Sequence, residues 1–134
     1  MILLLFAALA TAGPHSYSQF RVTDADGRQV TSPEYKRCES RSLHNEEAVQ
    51  CIRDEWDHLD KLLNRDYRRA LAMMPYTLER EKLRSAQRRW LRDRNEKCSV
   101  ENAGGHTPYE FAVQQCEIDE LIRRIIWLRH PRRR

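Results

Sequence analysis

The sequence lacks the short motifs by which metal sites and most enzymes are recognised. No pair of cysteines has C-x-x-C spacing, and no two histidines lie one helical turn apart beside an acidic partner, so we expect no metal site. No glycine-rich phosphate loop is present, and no nucleophile, base and orienting group occur at a recognisable spacing. We therefore predict a protein that is not an enzyme, with no catalytic residues and no cofactor.

Long hydrophobic runs and a charge excess in the body of the protein are also absent. The longest apolar stretch, at the N-terminus, is too short to span a bilayer. Four of the 24 basic residues lie between positions 129 and 134, and the remaining 20 balance the 20 acidic ones. Terminal arginines without interleaved aromatic residues are a weak signal for nucleic acid, so we predict no nucleic-acid partner.

The N-terminus contains a signal-peptide pattern. Its apolar run ends in Ala10-Thr11-Ala12, a cleavage signal of the A-x-A type, although no Lys or Arg precedes the run. A buried hydrophobic helix is the alternative, but polarity changes abruptly from Pro14 onward. We expect a signal peptide over residues 1–12 and a periplasmic or secreted mature protein without a transmembrane span.

Four cysteines, Cys38, Cys51, Cys98 and Cys116, predict two disulfides in a short exported chain. The sequence alone allows three connectivities. Cys51 and Cys98 lie 24 and 23 residues on either side of Pro75, so they would sit level in an antiparallel helical hairpin. Helix lengths alone favour joining these two.

The apolar periodicity predicts three helices after a linker over residues 13–37, in which a short hairpin surrounds Asp26-Gly27. The first helix begins at Asn45 and ends before Pro75, which cannot continue it, and a short connection makes it antiparallel to the second. Residues 99–106 separate the second helix from a third that ends before Pro131. The predicted fold is all-α, a small antiparallel domain of about three helices with two disulfides.

Several residue types and spacings occur together along these helices. They follow the pattern C...C...D..LN..Y...L..AQ..W...RD..C...C, and the matching residues are Cys38, Cys51, Asp60, Leu63, Asn64, Tyr67, Leu83, Ala86, Gln87, Trp90, Arg94, Cys98 and Cys116. In this respect the chain resembles the LprI-type lysozyme inhibitor family. Two positions depart from that pattern, with Asn95 where the family has Asp and Leu121 where it often has Thr. We assign residues 38–129 to the LprI-like domain and 130–134 to a basic tail.

The resemblance implies an exported, non-catalytic protein of the bacterial envelope that binds a lysozyme-like glycosidase and inhibits it. It also implies that Cys38 bonds to Cys51, which leaves Cys98 for Cys116. The helical positions of the motif residues suggest a structural task. Asp60, Asn64 and Tyr67 would form a hydrogen-bond network with Gln87 and Arg94 between the first two helices, while Leu63 and Trp90 pack inside.

Two surfaces remain for partners. Many lysozymes are basic, and a neutral body gives little long-range attraction, so binding depends on local complementarity. We predict a binding loop over residues 99–106 that enters the sugar-binding cleft of the lysozyme. Its candidate contact residues are Glu101, Gly104, Gly105 and His106. The alternative function is an envelope structural or stress-related adaptor that contacts another protein or an anionic surface through its Arg-rich end, residues 129–134.

Overall fold

A computed structural model describes residues 22–41, 45–102 and 109–130, which contain four helices. They are α1 (Pro33–Arg41), α2 (Asn45–Ala72), α3 (Thr77–Lys97) and α4 (Tyr109–Arg129). These residues include no strand beyond one isolated β-bridge between Thr23 and Gln29. The all-α prediction is confirmed, and α2, α3 and α4 are the three expected helices. Within the same ranges, no helix is long and apolar enough to cross a membrane.

The core lies between α2 and α4, which pack in parallel. Trp56 of α2 contacts Glu117 of α4, and ten residues further along α2, Asp66 contacts Arg129 at the end of α4. The side chains between these two contacts are almost fully buried; they include Leu59, Leu63, Ile118, Ile122 and Ile125. Burial of each such side chain stabilises the fold by about 1.5–3 kcal/mol.

Helix α3 packs against α4 and runs antiparallel to it. Lys97 pairs with Glu120, whereas Gln87, almost three turns earlier, pairs with Arg124. The predicted pairing of α2 with α3 is therefore not the main helix contact, which is α2 with α4. The reason is composition: Leu83 and Gln87 are the buried residues of α3, so this helix offers α2 little apolar surface.

Both disulfides fasten neighbouring helices. Cys38–Cys51 joins α1 to α2 with a Cα–Cα distance of 5.8 Å, and Cys98–Cys116 joins the end of α3 to α4 at 5.5 Å. This is the pairing that the family resemblance implied. The alternative that helix lengths favoured, Cys51 with Cys98, does not occur because α3 packs beside α4 rather than α2.

Residues 22–37, expected to be part of a linker, belong to the folded body. Val22, Val30 and Tyr35 are buried with the helical core. The chain reverses between them at Gly27, whose φ of 76° favours glycine. α1 then begins because the Ser32 hydroxyl accepts the Tyr35 N–H at 3.1 Å and Pro33 occupies the first helical position. The expected signal peptide, residues 13–21 and residues 131–134 lie outside the described ranges.

Candidate functional site

The family-motif residues do not form the expected network between α2 and α3. The Asn64 side chain donates to Asp60 one turn earlier in the same helix, at 3.3 Å. Gln87 instead accepts a hydrogen bond from Arg124 Nε of α4, at 2.9 Å in the buried contact between α3 and α4. Leu63 is in the core as expected, and Tyr67 packs half-buried against it.

Trp90 completes this contact by stacking with arginines. The guanidinium carbons of Arg94 and Arg124 lie 5.2 and 5.7 Å from the centre of the Trp90 ring. Arg124 also lies 3.9 Å from the ring centre of Trp127. Because cations over aromatic faces attract electrostatically, this layer holds α3 to α4. The side chains of Gln87 and Trp90 therefore position α3 against α4.

Arg129, assigned above to the Arg-rich end, is part of the folded body. Its Nε lies 2.7 Å from Asp66 Oδ2, and its Nη1 lies 3.2 Å from Asp24 Oδ2. The three side chains are only 7%, 6% and 0% exposed. Burial opposes ionisation of Asp24, but hydrogen bonds from Arg28 and from the Asp26 N–H hold its pKa below the ordinary value. Arg129 is thus unavailable to an external anionic surface.

Glu55 is a buried acid that the sequence did not single out. Its side chain accepts hydrogen bonds from the Ser32 N–H, at 3.0 Å, and from the Ser32 hydroxyl. Burial raises the pKa of Glu55, although these hydrogen bonds and the nearby His58 act in the opposite direction. In the sequence, its burial is indicated by its position on the inner side of α2, one turn before Leu59. The contact ties α2 to the start of α1.

One group of three potential metal ligands occurs in the part of the chain that the structure describes. Oxygen or nitrogen atoms of Asp24, Asp26 and His130 lie within 4.8 Å of one another. However, Asp24 Oδ2 is already bound by the guanidinium groups of Arg28 and Arg129. Two adjacent cations disfavour a third, so these residues do not suit a divalent ion.

A cleft opens beside Trp56 at the end of the molecule that carries the N-terminal half of α4. It encloses about 350 Å³ and is lined by Arg53, Trp56, Asp57, Gln114 and Glu117. Trp56 is half-buried against the core, and its Nε1 donates to Glu117 Oε2 at 2.7 Å. The cleft therefore places a half-buried tryptophan beside two carboxyl groups and one guanidinium group.

The predicted binding loop starts at the same end. Ser99 O accepts the Asn102 N–H at 3.1 Å, and Val100 and Glu101 are exposed in this turn. Gly104, Gly105 and His106 lie outside the described residues. The Cys98–Cys116 disulfide fixes the base of the loop, and Cys116 directly precedes Glu117 of the Trp56 cleft. Loop and cleft are consequently neighbours along α4.

Comparison with protein families identifies the family of the chain. The family model described as "Lysozyme inhibitor LprI" matches residues 36–128, well over half of the chain. No curated protein and no solved structure matches the chain. The matched residues begin after the turn at residues 22–32 and end one residue before Arg129.

Proposed function

The chain belongs to the LprI family, and we propose on this ground that it binds a lysozyme-like glycosidase outside the cytoplasm and inhibits it without catalysing a reaction. The family match over residues 36–128 is the observation that carries the proposal. The two disulfides support it because such bonds persist in oxidising compartments, as expected for a periplasmic or secreted protein.

We place the inhibitory surface at the Trp56 cleft and the adjoining turn with Glu101. A half-buried tryptophan in a cleft is the kind of anchor that dominates protein interfaces. Asp57 and Glu117 line the cleft, and Glu101 is exposed in the turn. Acidic groups around an aromatic anchor complement a basic enzyme surface, which the net-neutral body does not attract over long distances.

The outer face of α3 is the less suitable surface for the same partner. Arg88, Arg89 and Arg92 are exposed there, close together along one helical face. A basic lysozyme would be repelled by this stripe and attracted by the carboxyl groups of the cleft. Charge therefore distinguishes the two faces.

The test is a cell-wall lysis assay with purified, oxidised protein. Lysozymes of the chicken, goose and invertebrate types are each titrated with the inhibitor. We expect at least one enzyme to lose activity in proportion to the inhibitor added, reaching completion near one inhibitor per enzyme. Failure to inhibit all three types would refute the proposal, and inactivation of many enzyme molecules by one inhibitor would contradict a non-catalytic mechanism.

Charge-neutralising variants test the proposed surface. Asp57→Asn and Glu101→Gln remove one acidic group each from the cleft and the turn, and both side chains belong to exposed residues. Each variant should raise the concentration for half-inhibition about two- to fivefold, which corresponds to an exposed ion pair worth about 0.5–1 kcal/mol. Glu79→Gln, an equally exposed change on α3, is the matched control and should leave inhibition unaltered. Equal effects of all three would place the interface elsewhere.

A further inference from the structure

A second cavity lies at the other end of the α2–α4 pair and takes no part in the proposed inhibition. It has a volume of about 420 Å³ and is bounded by the turn at residues 28–29, the last turns of α2 and the end of α4. Small-molecule sites commonly have volumes of about 300–1,000 Å³. We propose that this cavity binds an amphiphilic anion, an alkyl or acyl chain that ends in a phosphate or carboxylate group.

One side of the cavity is apolar. Ala70 and Leu128 are buried at its base, Met74 is half-buried, and Met73 is 72% exposed at the mouth. Methionine side chains are flexible and adapt to hydrocarbon chains of varied shape. This half of the cavity can therefore remove an alkyl chain from water.

Exposed apolar residues are concentrated beside this mouth in the sequence. Of the five large apolar side chains that are exposed among the described residues, Met73, Tyr76 and Leu78 occur within six positions. Isolated exposed apolar residues need no explanation, but a concentration of them marks a binding surface. Exposed apolar residues thus continue along the chain from Met73 at the mouth to the start of α3.

The other side of the cavity is basic. Arg28, Arg65 and Arg69 line it, and the first two pair with Asp24 and Asp66. Their side chains are still 48% and 63% exposed, and a guanidinium has five N–H donors, so each keeps donors for a ligand. Arg69 is exposed and has no ion pair within the described residues. Arginine is also the residue best suited to bind phosphate and carboxylate groups through two hydrogen bonds.

The acidic lining residue does not cancel this charge. Asp66 is bound by Arg65 at one carboxylate oxygen and by Arg129 at the other. The Arg129 contacts also fix the turn carrying Arg28 against α2, so the cavity is held open by buried ion pairs. A preformed site avoids the cost of ordering its walls when the ligand binds.

The two sides together select the ligand class. A cationic amphiphile would be repelled by the arginines, and a small anion would leave the apolar side unused. A neutral lipid would offer no charge to the donors that these guanidinium groups still expose. Arg28, Gln29 and Arg129 lie outside residues 36–128, so the family domain alone does not form this cavity.

Isothermal titration calorimetry with the full chain tests the proposal. The probe is dodecyl phosphate below its micelle concentration, compared with inorganic phosphate and dodecyltrimethylammonium. We expect one dodecyl phosphate per protein, bound at least tenfold more tightly than either comparison compound. Absence of binding, or equal binding of phosphate or of the cationic amphiphile, would overturn the proposal.

Variants locate the bound molecule. Arg69→Gln should weaken dodecyl phosphate binding about tenfold, the usual effect of losing a hydrogen bond to a charged group. Met73→Asp should weaken it at least as much, and its exposure makes the change compatible with folding. Arg89→Gln on the exposed face of α3 removes the same charge and should change affinity less than twofold. Equal losses of affinity in Arg69→Gln and Arg89→Gln would show that the ligand is attracted non-specifically, and they would overturn the proposed site.

A further titration identifies the source of the ligand. Vesicles of phosphatidylglycerol are added to the complex, with phosphatidylcholine vesicles as the control. Competition by phosphatidylglycerol alone supports a membrane lipid as the source. Retention of dodecyl phosphate in the presence of both supports a free amphiphile. Competition that persists in Arg69→Gln would contradict binding through this cavity.

Discussion

Replacing Arg129 with methionine is the most direct test of how the turn at residues 22–32 is joined to the helices. The variant keeps most of the side-chain length but removes the guanidinium. It therefore breaks the contacts at 2.7 Å to Asp66 and 3.2 Å to Asp24, and it leaves both carboxylates without their buried partner. Ions buried without a partner are strongly destabilising because desolvation is no longer compensated.

The magnitude follows from what each carboxylate retains. Removing one partner of a buried ion pair costs about 3–5 kcal/mol. Asp24 keeps Arg28 Nε at 2.8 Å, and Asp66 keeps Arg65 at 3.2 Å, so the lower end applies. We expect Arg129→Met to reduce the free energy of unfolding by about 3 kcal/mol, which corresponds to a fall in Tm of roughly 10 °C for a domain of this size.

Urea unfolding, monitored by circular dichroism, measures this change in stability. Arg123→Met is the control. Arg123 lies two turns earlier in α4, is 41% exposed, and pairs with Glu120 at 2.7 Å on the surface. Surface ion pairs contribute about 0–1 kcal/mol, so the control should be nearly neutral. If Arg129→Met lowers stability by no more than Arg123→Met, Arg129 belongs to a solvated tail and our interpretation of the turn is wrong.

Three further outcomes follow from named contacts. Because burial raises the pKa of Glu55, folding favours the protonated form of this side chain. The stability that Glu55 contributes is therefore present below its ordinary pKa of 4.5 and is lost as the pH rises through the raised pKa. Glu55→Gln should make the free energy of unfolding, measured by urea titration from about pH 4 to about pH 8, less dependent on pH. An unchanged pH dependence contradicts this assignment. Gln87→Ala removes the buried hydrogen bond between Gln87 and Arg124 Nε and should lower stability by about 1–3 kcal/mol, whereas Gln50→Ala, on the exposed face of α2, should have little effect. Replacing Cys98 and Cys116 by serine should cost about 3 kcal/mol and weaken inhibition; replacing the other cysteine pair should cost a similar amount without affecting inhibition.

The apolar face of α2 could be predicted because it depends only on local periodicity. Ile52, Leu59, Leu63 and Ala70 recur at helical spacing, and all four are buried. Pro75 limits the helix, which ends at Ala72. A periodic pattern shows which face of a helix is buried, but it does not identify the helix that covers that face. For this reason the sequence predicted α3 as the main partner of α2, whereas the structure shows α4.

The candidate sites were less predictable because they depend on contacts between distant residues. Arg129 is followed within five positions by three more arginines, so in sequence it looks like part of a solvated tail. Its partner Asp24 is 105 positions earlier, and no local pattern connects the two. Trp56 lies on the apolar stripe of α2, and its hydrogen-bond partner Glu117 is 61 positions later in α4. The cavity beside Arg69 likewise requires the turn at Arg28 to be placed on α2.

The parallel packing of α2 and α4 places the two proposed sites at opposite ends of one helix pair. Trp56 and Ala70 are 14 positions apart on α2, a separation of about 21 Å along a regular helix. Effects at such a distance normally add independently unless a two-state element couples them, and the intervening core is uniformly buried. Saturation with dodecyl phosphate should therefore change the concentration for half-inhibition of lysozyme by less than twofold. A larger change that disappears in Arg69→Gln would mean that the helix pair transmits ligand binding from one end to the other.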